Sequence, residues 1–252
     1  MPICKLCGNT AVLVRSHIIP DAFNRDLKGG SDGSPVELST DPTAFPRRRP
    51  GGLYDENLVC DLCERRFWPW DDYGTDFLLN RLRREGQPLN APTGETLAFS
   101  YSNVDYERLK LFAISLLWRA SATSLNFFNR VDIGPHEDRA RQMIVGATPG
   151  SPDEFSTMLV RWAARSNHER VAQGQFSPYN VKLNGVNEVK LFLGGVVLHI
   201  KVDKRPYPAP FPQIILRPNA PLYVPVREFA GSKDVLAMRP AFESVVARSR
   251  RR

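Results

Sequence analysis

Two cysteine pairs of identical spacing, Cys4-Lys5-Leu6-Cys7 and Cys60-Asp61-Leu62-Cys63, constrain this chain more than any other feature. In each pair, two thiolates three positions apart can converge on one tetrahedral ion, and two such pairs supply the four soft ligands of a structural zinc. The 52 residues between Cys7 and Cys60 exceed what a simple zinc ribbon holds. A Gly-, Pro-, Ser- and Asp-rich stretch over residues 21–52 accounts for the excess as one long loop. The expectation is an N-terminal module stapled by Zn2+ on Cys4, Cys7, Cys60 and Cys63.

Close cysteine pairs in a secreted miniprotein would suggest disulfides. Here the N-terminus enters the first pair at once, with no charged segment, apolar stretch or small-residue cleavage site ahead of it. That reads as a cytoplasmic protein, where reducing conditions favour metal thiolates. No run of about 18 uncharged apolar residues occurs, so a membrane span is not expected. Apolar residues make up 42% of the 252, enough to bury a core.

The net charge of +7 permits a polyanionic partner. Its distribution says more. Arg47, Arg48 and Arg49 are consecutive, Arg65 and Arg66 follow the second cysteine pair, and Arg81, Arg83 and Arg84 cluster soon after. A further group (Arg248, Arg250, Arg251, Arg252) lies in the final residues and reads as a solvated end.

After the second pair, a short helix is expected to reach Phe67 and a second to start at Pro69. The clearest helix lies between Asp105 and Phe128, with one apolar face at three- and four-residue steps. Gly134-Pro135 opens another through about Val145, and Ser151-Pro152-Asp153-Glu154 caps a third reaching roughly Arg165. Glu188–Leu193 and Val196–Val202 then read as a hairpin turned by Gly194-Gly195. Gln213–Leu216 and Leu222–Val226 read as two more strands, with a short helix near Ala241–Ala247. The class is α+β: an N-terminal module over residues 1–85, then a helical middle and a small C-terminal antiparallel sheet within residues 86–252.

Between the cysteine pairs lie His17-Ile18-Ile19-Pro20 and Asn57-Leu58. In that order, the chain resembles the HNH, or ββα-metal, endonucleases over residues 4–67. Ser115–Ala120 adds a looser likeness to a group of poorly characterised bacterial HNH-like proteins. The resemblance implies a ββα-metal fold for the module and hydrolysis of phosphodiester bonds in DNA. It makes His17 the general base, a role suited to an imidazole with an unperturbed pKa near about 6.5. It makes Asn57 the residue that orients the loop bearing the base. It gives Glu64, directly after the last cysteine, to a catalytic divalent ion, Mg2+ or Mn2+. Many relatives carry Asp, Glu or His before the base to help hold that ion, whereas this chain has Ser16. Asp61, Asp71 and Asp72 are within reach as replacement donors.

The implied partner is double-stranded DNA, met by the arginine clusters, with residues 86–252 positioning substrate or regulating the module. The alternative is a non-catalytic zinc-dependent module that binds nucleic acid or another protein. Other candidates have plainer readings. His136, His168 and His199 read as structural, Trp68 and Trp70 as packing beside the zinc, and Arg119 as a snorkelling side chain or half of a buried ion pair.

Overall fold

A helical stretch buried on every side belongs inside a protein, and residues 109–120 of the longest helix have no exposed position. The periodicity predicts a single packed face ending near Phe128. Instead the whole circumference is buried, the α-helix ends at Ala122, and a 3₁₀ turn covers Asn126–Phe128. This computed structural model describes residues 1–28, 36–37, 47–48, 51–163, 176–228 and 232–236.

In chain order, the first elements are β1 (Leu13–His17), α1 (Asp21–Lys28), the short β2 (Val36–Glu37) and β3 (Arg47–Arg48), and β4 (Tyr54–Cys60). Next come α2 (Asp61–Asp76), a π-helical turn at Phe77–Arg81, and α3 (Leu82–Arg84). Strands β5 (Gln87–Asn90) and β6 (Thr96–Tyr101) lead into α4 (Tyr106–Ala122) and α5 (Glu137–Val145). The chain continues through β7 (Thr157–Trp162), β8 (Tyr179–Leu183), β9 (Val186–Leu193), β10 (Val196–Lys201) and β11 (Leu222–Arg227).

The expected break at Pro69 does not occur: α2 runs through it. Proline in a helix interior forfeits one backbone hydrogen bond. Here Pro69 takes the exposed side, while Phe67, Trp70 and Gly74 bury the other against α4. Gly74 permits that approach, since a Cβ there would lie 2.3 Å from the Phe112 ring. Trp68, expected in the core, is instead 73% exposed.

The sheet is larger than the sequence suggests. Seven strands run in the order β5-β6-β11-β7-β10-β9-β8, all antiparallel except the β11–β7 pair. The Gly194-Gly195 hairpin joins β9 to β10 as expected, both glycines having positive φ. Residues 157–162, read as the third helix, form β7 inside this sheet. The Ser151 hydroxyl that looked like a helix cap accepts from Asp153 N at 3.2 Å and closes a turn. Residues 213–216 form no strand; they carry the end of a 3₁₀ turn and a single bridge from Ile215 to Met158. The expected helix near Ala241–Ala247 and His168 lie outside the described residues.

Strand alternation divides the sheet into two faces. Val189, Leu191, Leu193, Val196, Leu198 and Ile200 join the main apolar cluster, which α4 also fills. Phe192 and Val197 belong to a separate cluster with Trp162, Phe176 and Tyr179 on the opposite face. The main cluster runs from Cys4 to Val224, so residues on both sides of position 85 share one core.

Candidate functional site

The first cysteine pair sits in a tight turn: Cys4 N donates to Asn9 O, and Gly8, at φ 78, donates back to Cys4 O at 2.8 Å. Lys5 N reaches Leu58 O at 3.0 Å, laying this turn against β4. The second pair straddles the start of α2, with Cys60 at its N-cap and Cys63 in the first turn. Antiparallel pairing of β1 with β4 sets Leu13 opposite Cys60. All four sulfurs thereby come within 4.8 Å of one another, an arrangement that can hold a metal such as zinc. Among the described residues, no other group of three or more His, Cys, Asp or Glu ligands closes to this spacing.

The surroundings act unevenly on the sulfurs. Burial pushes the Cys4 thiol up, but the backbone N–H groups of Cys7, Cys60 and Leu6 outweigh it and bring the group down to about 7. Cys60 N lies 3.3 Å from Cys4 Sγ. Burial pushes Cys63 well above the ordinary thiol range. Two outside contacts fix the assembly: Lys5 Nζ donates to Ala122 O at the C-terminus of α4, and Arg141 donates to Leu6 O.

His17 ends β1, on the far side of a bulge between Val14 and Ser16. Its ring meets Tyr54 edge-on at 6.1 Å, and its Nε2 lies 3.3 Å from Gly51 O. A carbonyl only accepts, so this contact places a proton on Nε2 and leaves Nδ1 as the acceptor of the neutral ring. Arg15 stacks over Tyr54 at 3.5 Å and donates to the same Gly51 carbonyl, which sets an exposed guanidinium beside the imidazole.

Glu64 and Asp71 lie two turns apart on one face of α2. Burial raises the Glu64 carboxyl, opposed by Ser16, Arg119 and His17 and reinforced by Asp71. Glu64 Oε2 and Ser16 Oγ are both buried without a well-formed hydrogen bond. Asp71 is raised by burial and eased by Arg119 and His17. Its two oxygens take Arg119 Nη2 at 2.6 Å and Nη1 at 2.9 Å. Arg119 is fully buried, stacks over Phe67 at 4.5 Å, and also donates to His17 O at 2.7 Å. One guanidinium thus ties the backbone of His17 to the carboxylate of Asp71.

Of the residues singled out from sequence, His17 and Glu64 come into each other's electrostatic reach, apart from the sulfurs. Asn57 does not join them. Its side chain is exposed, its backbone N donates to Asp55 Oδ1, and the β1–β4 ladder holds the His17 strand. Of the three replacement carboxylates, Asp71 reaches the group, Asp61 pairs with Arg65 at the surface, and Asp72 is exposed. Arg15 is the addition from structure. Asp71, a replacement carboxylate, and Arg119, read as a snorkelling side chain or half of a buried ion pair, prove to be each other's partners. They sit on separate helices and meet only through the α2–α4 packing, which no local motif signals.

The arginine clusters are mostly occupied within the chain. Arg65 bonds Asp61, Arg66 bonds Val145 O, Arg81 bonds Glu85, and Arg83 makes a two-pronged pair with Asp26. Arg49 and the terminal group lie outside the described residues, as do the side chains of Arg47 and Arg48. Among the described residues, no helix is long and apolar enough to cross a membrane. No family model, curated protein or solved structure matches the chain.

Proposed function

We propose that the chain is a metal-dependent HNH-type endonuclease that hydrolyses phosphodiester bonds in double-stranded DNA, with zinc on the four cysteines as a structural element. The observation that carries this reading is that His17 lies within electrostatic reach of the Glu64 carboxylate, whose Oε2 is buried without a well-formed hydrogen bond, beside a separate cysteine cluster. The order of elements supports it: two antiparallel strands, β1 and β4, feed a helix, with the base on the first strand and the acid in the helix's first turn.

The donor set suits a hard divalent cation. Glu64 Oε2 and Ser16 Oγ are neighbouring buried oxygens without a well-formed hydrogen bond, which leaves both able to turn to an ion or water. Glu64 would hold Mg2+ or Mn2+, with water filling the remaining positions, because Asp71 is already shared with Arg119. When bound, the ion supplies charge neutralisation at the scissile phosphate and the departing oxygen. His17 takes a proton from the attacking water at Nδ1, Nε2 being turned to Gly51 O. Arg119 and Asp71 hold the segment bearing the base, and Arg15 meets a neighbouring phosphate.

The test is plasmid cleavage with Mg2+ or Mn2+. His17→Ala should abolish cutting while leaving zinc content and DNA affinity intact. Glu64→Ala should cut poorly, with a defect that shrinks as the divalent ion is raised. A second reading, a non-catalytic zinc-dependent module that binds nucleic acid, is favoured by one observation: Ser16 brings no charge and Asp71 is committed to Arg119. DNA binding without cleavage by the wild type, under any of these ions, selects it.

A further inference from the structure

Where β10 ends against the turn after α5, a cavity of about 250 Å³ is lined by Ser156, Lys201, Lys204, Tyr207 and Asp153. At roughly 30 Å³ per liquid water, that is room for a small ion with several waters. Backbone pairing fixes its floor, since Lys201 N donates to Ser156 O at 2.9 Å. Ser156 is 1% exposed, and its hydroxyl has no hydrogen-bond partner. Lys201 is 3% exposed, and its ammonium spends one contact on Arg205 O at 3.0 Å and lies 5.6 Å over the Tyr207 ring. A buried cation and a residue with a buried, unsatisfied hydroxyl thus line the same small space, together with the exposed Lys204.

The acids near this space have other partners. Asp203 is held by Arg205, and Asp153, though it lines the cavity, lies 3.6 Å from Arg217. The Tyr207 hydroxyl lies near Glu188, though neither it nor Glu188 Oε1 makes a well-formed hydrogen bond. Burial draws Lys201 below the ordinary lysine value, with Asp153 and Asp203 pulling the other way, and Lys201 in turn disfavours charge on Lys110 behind it. The local balance is cationic and short of an acceptor.

We propose that Ser156, Lys201 and Lys204 form a site for a small oxyanion of the phosphate class, distinct from the region of His17. Lys201 and Lys204 supply charge, and the Ser156 hydroxyl donates to one oxygen. The anion is either free or the terminal group of a larger ligand whose remainder stays outside.

Thermal unfolding of the full chain in inorganic phosphate, against sodium chloride of equal ionic strength, reads the site directly. A parallel series uses adenosine 5′-monophosphate. Phosphate should raise the midpoint in a saturable way. Lys201→Met should weaken the apparent affinity about tenfold or more, and Ser156→Ala and Lys204→Ala by smaller factors. Equal effects of phosphate and the monophosphate identify a free-anion site; a much stronger monophosphate effect identifies a phosphate-ester ligand. If phosphate stabilises no more than chloride, or all three variants respond like the wild type, the site does not exist. Should Lys201→Met fail to fold, the other two variants decide. None of these outcomes depends on DNA cleavage.

Discussion

His199 on the outer sheet face and His17 at the end of β1 each lie near a largely buried glutamate, Glu188 in one case and Glu64 in the other. In the sheet, His199 Nδ1 meets Glu188 Oε2 at 2.9 Å, and the pair forms part of a fixed polar layer in which Lys190 bonds Asp234 and Asp234 accepts from Tyr179. Near the cysteines, the His17 ring makes only a 3.3 Å contact to a carbonyl, and the Glu64 carboxylate keeps an unpartnered oxygen. Each glutamate keeps one buried oxygen without a partner, Glu188 Oε1 and Glu64 Oε2, so the difference lies in the imidazoles: His199 is bonded to its glutamate, whereas His17 leaves Nδ1 open. That difference argues for assigning chemistry to His17 rather than to the histidine with the better hydrogen bond.

The largest effect that should separate the two regions is metal removal. The cysteine module draws its four sulfurs from two segments 52 residues apart, the first of the intervening residues forming β1 and α1 and not one long loop. A metal bound there would therefore contribute directly to folding. The sheet has its own apolar clusters and a continuous ladder. A strong chelator, or Cys60→Ser, should erase hydrogen-exchange protection in β1 and β4 while leaving β9 and β10 protected. About one zinc per chain should accompany the protected state. Equal loss of protection in both regions would show that the two do not differ in their dependence on metal.

Exchanging the histidines gives the next effect. If His17 is the base, His17→Ala should lower plasmid cleavage by about 10²–10⁴-fold. His199→Ala should leave cleavage of the folded protein within a few-fold of wild type. Equal losses in the two variants would end the distinction on which the endonuclease reading relies.

The two regions also differ in how far their residues disclosed them. The cysteine cluster is legible because each pair is read from four contiguous residues with fixed spacing. The β9–β10 hairpin is legible for the same reason, through Gly194-Gly195. Arg119 and Asp71 are 48 positions apart and meet only once Gly74 lets α2 close on Phe112. Residues 157–162 misled because a Ser-Pro-Asp-Glu run starts turns as readily as helices, and only pairing with β10 and β11 makes them a strand. Strands β5, β6 and β8 carried too little apolar alternation to be seen; β5 is exposed along its whole length.

Stability should move in opposite directions when each glutamate's pairing is altered. His199→Ala leaves Glu188, itself fully buried, without its imidazole, and should cost about 1–3 kcal/mol in chemical denaturation. Glu64→Gln removes a charge that is already poorly paired, so in the absence of divalent ions it should be neutral or stabilising. Adding Mg2+ should stabilise the wild type and not Glu64→Gln. A substantial loss of stability in Glu64→Gln without divalent ions would make Glu64 a structural residue like Glu188.

The smallest expected effect concerns α4, which both regions share and which buries two cations. Arg119 meets a carboxylate, whereas Lys110 is fully buried and donates only to the carbonyls of Glu154 at 2.8 Å and Phe155 at 2.6 Å. Burial pulls Lys110 down to about 7 from 10.5, despite the pull of Glu154 the other way. Between those two values the unfolded chain carries a proton that the folded chain has released, so the Lys110 contribution to stability rises with pH across that window. Below it both states are protonated, and the cost of burying the charge is felt in full. Lys110→Met removes this dependence and leaves the Glu154 carbonyl unpaired, while Phe155 O keeps the Thr157 hydroxyl. That loss does not vary with pH. The wild type should therefore gain on Lys110→Met as pH is raised from 7 to 9, by at most roughly 1.4 kcal/mol per unit. Parallel stability curves for the two proteins would mean that Lys110 stays charged in the fold, held by its carbonyls as firmly as Arg119 is held by Asp71.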